Sequence, residues 1–113
     1  MKRGEIWTVA GGPDYTGKPR PAVILQDNAF DETRSVTVCP VTSSATDLPA
    51  TRPVVEPSVE NGLRVTSRLM VDKITTLPRA KVQARIGRLS GEEISRMNRA
   101  VFIFLGFAVP SGR

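Results

Sequence analysis

Histidine is absent from the 113 residues, and cysteine occurs once, as Cys39. The first absence removes imidazole as general base, proton shuttle and metal ligand. The second excludes an internal disulfide and leaves a single soft ligand, too few for a zinc site. Any chemistry has to be built from carboxylates, hydroxyls, lysine and arginine. Aromatics are scarce as well, with four Phe, one Trp and one Tyr. The longest apolar run, residues 100–109, contains a glycine and falls well short of the ~20 residues of a membrane span. Met1-Lys2-Arg3-Gly4-Glu5 leads into a short apolar stretch without a cleavage-like site, so no secretory signal is expected. These absences predict a soluble, cytoplasmic protein with no membrane contact.

What is present reads as one globular domain, residues 1–113, with 40% hydrophobic and 24% charged residues. Sixteen Lys and Arg against eleven Asp and Glu give +5, which favours an anionic partner. The chain is organised around Lys18-Pro19-Arg20-Pro21-Ala22-Val23-Ile24-Leu25-Gln26. Each proline fixes its own φ and pushes its predecessor toward extended geometry. Arg20 is thereby held still at the entrance of a buried strand. A rigidly mounted guanidinium suits a phosphate or carboxylate ligand, although from this stretch alone pairing with a surface acid is the more ordinary explanation.

The alternation of Glu5-Ile6-Trp7-Thr8-Val9 predicts a first strand with Trp7 in the core, and 20–26 predicts a second. A glycine-rich loop holding Asp14 and Tyr15 lies between them, and Tyr15 is a candidate for stacking on a base. A polar connection with Phe30 tucked in leads to a third strand over 35–42. Pro40 is expected to end that strand or mark an edge, which leaves the Thr42 hydroxyl on the rim. Further strands are expected over 52–56, within 63–75 and over 82–89, with a helical turn near 77–82 and a bulge at Gly87. Asn61-Gly62 signals a type I′ hairpin turn. Ser90-Gly91-Glu92-Glu93 is a capping box opening a helix with Ile94, Met97, Val101 and Leu105 at helical spacing. Phe102 and Phe104 widen its apolar surface beyond what one small sheet needs, which predicts a homodimer. About six short strands and one late helix predict a mainly β (α+β) fold, a small SH3-like barrel with a C-terminal helix.

Six short stretches occur in order along the chain: Arg3-Gly4-Glu5-Ile6-Trp7, Arg20-Pro21-Ala22-Val23-Ile24, Pro40-Val41-Thr42-Ser43, Asn61-Gly62-Leu63, Val71-Asp72-Lys73-Ile74 and Ile86-Gly87-Arg88-Leu89-Ser90. Together they resemble the MazF/PemK family of toxin endoribonucleases, from Arg3 to about Phe107. The resemblance implies a dimeric ribonuclease that needs no metal or other cofactor. It implies cleavage of single-stranded RNA at short sequences and inhibition by a cognate, MazE-like antitoxin that is acidic and partly disordered. Its catalytic arginine and threonine fall on Arg20 and Thr42.

The general base implied by the resemblance is less direct. Some members place an acid five residues before the arginine, where this chain has Tyr15. Others use an aspartate at the position of Asp72 with an arginine two residues earlier, where this chain has Met70. Asp72 is thus the base candidate, and a structural acid bonding a neighbouring loop is its equal alternative. RNA contacts are expected at Tyr15, Lys18, Ser43, Lys73 and Arg79. A gyrase-poisoning toxin of the same barrel and a non-catalytic RNA-binding barrel are the competing functions.

Overall fold

Ser35–Thr42 alternates apolar side chains to both faces and is rich in β-branched residues, which favour a pleated surface. It forms the longest strand of a computed structural model that describes residues 1–10, 18–45 and 51–109. Among these residues the strands are β1 (Glu5–Val9), β2 (Arg20–Ile24), β3 (Ser35–Thr42), β4 (Val54–Val55), β5 (Ser67–Leu69), β6 (Thr75–Pro78) and β7 (Val82–Arg88), followed by the helix α1 (Gly91–Phe104). The expected mainly β fold with one C-terminal helix is the one observed. It has seven strands where about six are expected, in a curled antiparallel sheet of order β4-β5-β3-β2-β1-β7, with β6 also paired to β3.

β3 is shared by three partners. On one edge it pairs with β2, placing Ala22 opposite Pro40 and Ile24 opposite Val38. On the other edge its first half pairs with β6 and its last two residues with β5. Pro40 neither ends the strand nor marks its edge, contrary to expectation. The N–H and C=O of one strand residue face the same edge. The Pro40 carbonyl accepts from the Met70 N–H (2.8 Å), so its missing donor faces the junction between β6 and β5, where no ladder bond is lost.

The curled sheet buries Ile6, Val23, Cys39, Val41, Leu69 and Val71 on its inner face, against Met97 and Ala100 of α1. Its outer face carries a smaller cluster of Ala22, Ile24, Val36 and Val38, with Trp7 and Val9 packed on it half-buried. Trp7 therefore covers the outer cluster, its indole N–H donating to Glu5 Oε1 (3.1 Å). Phe30 is 59% exposed rather than tucked in, because it sits on a 3-10 turn (Asn28–Phe30) that buries no residue.

The ends of the sheet, β4 and β7, do not pair; a turn between them forms the seam of a half-barrel. Arg88 N–H donates to the Glu60 carbonyl (3.0 Å). The Asn61 amide is fully buried within this turn. Its Oδ1 accepts from Ser58 and Leu63 N–H (3.0 Å each), and its Nδ2 donates to the Glu56 carbonyl (2.8 Å). Gly62 has φ +70°, and a Cβ there would lie 2.0 Å from the Ile86 carbonyl oxygen. Asn61-Gly62 thus lies at the seam between β4 and β7, and in place of the expected tight type I′ turn a longer loop, residues 56–66, joins the antiparallel pair β4–β5. The bulge expected at Gly87 is present as a register shift against β1. The capping box is formed as expected, with Glu93 N–H donating to Ser90 Oγ (3.1 Å) and Ser90 N–H to Glu93 Oε1 (2.8 Å).

Candidate active site

Arg20 opens β2, whose last three residues Ala22, Val23 and Ile24 are buried, so the guanidinium is carried on a strand rooted in the core. Thr42 closes β3. Ala22 opposes Pro40 in the β2–β3 register, and continuing that register by two residues sets Arg20 opposite Thr42. β1 extends the same row with Val9 opposite Arg20, and β5 extends it with Arg68 opposite Thr42.

A cleft of ≈ 470 Å³ opens at this end of the half-barrel. Pro19, Arg20, Thr42 and Ser43 line it on the side of β2 and β3, and Leu63, Arg64 and Val65 line it from the chain beyond the seam. The buried Asn61 fixes that second wall through its bond to the Leu63 N–H. Thr42 Oγ1 accepts from the Ser44 N–H (3.2 Å). A hydroxyl that accepts in this way still has its own proton to donate. The cleft therefore presents two guanidinium groups and a threonine hydroxyl, a set that recognises phosphate oxygens. Among the described lining residues there is no carboxylate.

The remaining expected site residues fall elsewhere. Asp72 lies on a 3-10 turn (Val71–Lys73) and does not line the cleft with Arg20 and Thr42. Both its oxygens go to Arg52, Nε to Oδ1 at 2.9 Å and Nη2 to Oδ2 at 3.0 Å. The Arg52 hydrogen bonds hold the Asp72 carboxyl below the usual carboxylate range. That is the opposite of what a general base near neutral pH requires. The structural alternative is the one this geometry matches: Asp72 bonds the chain that returns from the β3–β4 connection.

Arg79, also expected to contact RNA, is held by a loop. Its Nε donates to the Thr33 carbonyl (2.7 Å) and its Nη2 to the Asp31 carbonyl, so the guanidinium clamps a neighbouring loop. Lys73 is exposed and borders a separate hollow. Lys18 is exposed and precedes the cleft without lining it, whereas Ser43 does line it. Tyr15 and Asp14 lie outside the described residues. Among the described residues no group of three or more Cys, Asp or Glu is placed to hold a metal ion, and no helix is long and apolar enough to cross a membrane.

Two features of the site carry no distinct signal in the sequence. Arg64 is one of many basic residues, and only its position just after the Asn61-Gly62 turn signals a cleft wall. Arg52 gives no signal of its own, since its partner is twenty residues away.

Comparison with known proteins places this geometry in a family. Residues 2–105 match the model of the PemK-like, MazF-like toxins of type II toxin-antitoxin systems. A protein of Mycolicibacterium smegmatis named "Probable endoribonuclease MazF" is 50% identical over 108 residues, covering 96% of this chain and 99% of that protein. Among solved structures, a mycobacterial endoribonuclease in complex with its cognate antitoxin superposes with TM-score 0.79 at 22% identity, over 97% of this chain and 99% of that one. The Mycobacterium tuberculosis toxin MazF-mt6 superposes with TM-score 0.73 at 26% identity, over 88% of this chain and 96% of that one. The chain belongs to the PemK-like, MazF-like toxins of type II toxin-antitoxin systems.

Proposed function

We propose that this toxin is a single-domain cytoplasmic endoribonuclease that cuts single-stranded RNA at short sequences. The observation that carries the reading is the meeting of Arg20 and Thr42 across β2 and β3 at the cleft. In the reaction the ribose 2′-oxygen attacks the adjacent phosphorus and the bond to the 5′-oxygen of the next nucleotide breaks. The 2′-OH loses its proton and the leaving oxygen gains one. The products are a 2′,3′-cyclic phosphate and a 5′-OH. Negative charge accumulates on the non-bridging oxygens in the transition state. Arg20 meets that charge with two parallel N–H donors, and Thr42 adds its hydroxyl proton. Arg64 on the facing wall suits a flanking phosphate. With Asp72 held by Arg52, the site's contribution is electrostatic stabilisation and alignment, not proton abstraction by that carboxylate.

The test is incubation of the purified protein with a long single-stranded RNA in EDTA. Discrete fragments ending in 2′,3′-cyclic phosphate are expected from the wild type and none from Arg20→Ala. A folded Arg20→Ala protein that cuts at the wild-type rate would falsify the reading.

Two partners belong to the same proposal. The first is a second copy of the chain. Met97 and Ala100 face the core, whereas Phe102, Phe104, Leu105 and Phe107 remain exposed at the end of α1, an apolar patch suited to an interface. Sedimentation at micromolar concentration is expected to give a dimer. The second is an acidic, partly disordered antitoxin segment that occupies the cleft near Arg20 in competition with RNA, both weakening as salt rises. A titration of that segment with and without saturating uncleavable RNA checks it, and unchanged affinity would move the inhibitor elsewhere.

A further inference from the structure

The wall of the cleft made by Leu63, Arg64 and Val65 lies outside the strands, between β4 and β5. Its position is set through the buried Asn61 amide, which uses all four of its hydrogen-bonding capacities. Oδ1 accepts from the Ser58 and Leu63 N–H groups (3.0 Å each). Nδ2 donates to the Glu56 carbonyl (2.8 Å) and to Oε2 of Glu93 (3.4 Å). Glu93 sits in the first turn of α1, and its other oxygen, Oε1, accepts from the Ser90 N–H (2.8 Å). One carboxylate therefore joins the start of the helix to the seam, and one further bond joins the seam to the cleft wall. The far side of Asn61 is fixed as well, because a Cβ at Gly87 would lie 2.3 Å from its carbonyl oxygen.

We propose that Glu93 is a positioning residue for RNA binding: acting through Asn61, it holds the 63–65 wall, and with it Arg64, at a fixed spacing from Arg20 and Thr42. This rests on the RNA-cleaving reading above and adds to it a residue that does not itself line the cleft. Arg64 is exposed, so its backbone is the part of it that the fold can hold. A misplacement of about 1 Å in a substrate-holding group can cost on the order of a hundredfold in rate, which gives a remote support of this kind its leverage. The chemistry of the support calls for a carboxylate. Two donors, the Ser90 N–H and the Asn61 Nδ2, reach it from two elements, and a carboxylate has an acceptor oxygen for each. Its negative charge also suits the first turn of a helix.

Glu93→Gln separates the two tasks of the carboxylate. Glutamine serves a capping box as glutamate does, but its single oxygen cannot accept from Ser90 and Asn61 together. Ser90→Ala is the converse variant, which weakens the cap and leaves the bond to Asn61 in place. The first readout is hydrogen exchange of the Leu63 amide by NMR, which needs no RNA. Glu93→Gln is expected to speed it by about fivefold or more, the scale of coupling between linked sites, and Ser90→Ala to leave it near the wild-type rate. The second readout is single-turnover cleavage of a long single-stranded RNA with the protein in excess. Glu93→Gln is expected to raise the half-saturating protein concentration by about fivefold at an unchanged maximal rate, the pattern of lost binding. In an Arg64→Ala background the same substitution is expected to add nothing, because it acts through that side chain. Equal effects in both backgrounds overturn the proposal, as does wild-type exchange at Leu63. A Ser90→Ala protein that matches Glu93→Gln in both readouts overturns it too and makes Glu93 a helix cap only. Failure of the underlying reading looks different: the wild type then leaves RNA uncut, or Arg20→Ala cuts it equally well. In that event the Leu63 exchange rates still decide, together with binding of a random-sequence oligodeoxynucleotide in the same two backgrounds.

Discussion

Asp72 gives both carboxylate oxygens to the Arg52 guanidinium, at 2.9 and 3.0 Å, in a pair whose side chains are only 17% and 13% exposed. Backbone bonds flank the pair, from Leu69 N–H to the Pro53 carbonyl (3.0 Å) and from Val71 N–H to the Thr51 carbonyl (3.1 Å). The pair and these bonds stitch residues 51–53 to 69–72, the segment whose first residues pair with the end of β3.

Asp72→Asn is therefore expected to lower stability by about 1–2 kcal/mol, below the value of a fully buried pair because solvent reaches its edge. The folded carboxyl titrates below its unfolded value. The contribution is thus complete above the unfolded pKa of about 3.9 and is lost as pH falls through the folded pKa. Denaturant midpoints of wild type and variant should differ at pH 7 and converge as the solution is acidified below pH 4. Cleavage by the folded variant should retain the wild-type pH profile. Loss of an alkaline-rising limb would restore Asp72 as the base.

At the cleft, Arg20→Lys and Thr42→Val are each expected to slow cleavage by about 10²–10³, the usual effect of removing one charge-stabilising donor. A lysine ammonium cannot reproduce the two-pronged guanidinium contact. Thr42→Ser keeps the hydroxyl and should retain most of the rate. Single-turnover cleavage measures all three, and a Thr42→Val rate equal to wild type would show that the hydroxyl is a turn group only.

The seam gives a purely structural prediction. Gly62→Ala adds a methyl at φ +70°, 2.0 Å from a backbone oxygen, and should cost more than about 2 kcal/mol. Asn61→Ala removes a buried amide that satisfies three backbone groups and should cost about as much. Thermal unfolding checks both. An unchanged midpoint in either variant would mean that the seam is not held as described.

Burial pushes the Cys39 thiol up to about 12, with the nearby Asp72 charge adding to the effect. The native thiol is expected to resist alkylation at pH 8 and to react at the rate at which the protein unfolds. Rapid labelling of the native protein would contradict its complete burial.

The site is legible in the sequence where the chain is local. Two prolines around Arg20, the alternation from Ser35 and the capping box at Ser90 each dictate structure within a few residues, and each forms as expected. What pairs across distance is not legible. The Asp72–Arg52 pair and the Arg79 clamp on residues 31–33 depend on which loops the curled sheet brings together. Pro40 misleads because the rule against proline in strands assumes that both edges need a donor, and here the strand changes partner at that residue. Asn61-Gly62 misleads because the same left-handed glycine that makes a hairpin also allows close backbone approach, and Ile86 is what approaches.

The sheet joins Glu5 to Arg88, nearly the first ordered residue to nearly the last before the helix. Pairings of such long sequence separation are slow to form, on a scale of milliseconds to seconds for comparable β topologies. They also cannot form until the later partner exists. A chain ending at Lys81 lacks β7 and is expected to show no cooperative melt by circular dichroism. During translation, β1 waits with one edge unmatched until Arg88 has left the ribosome.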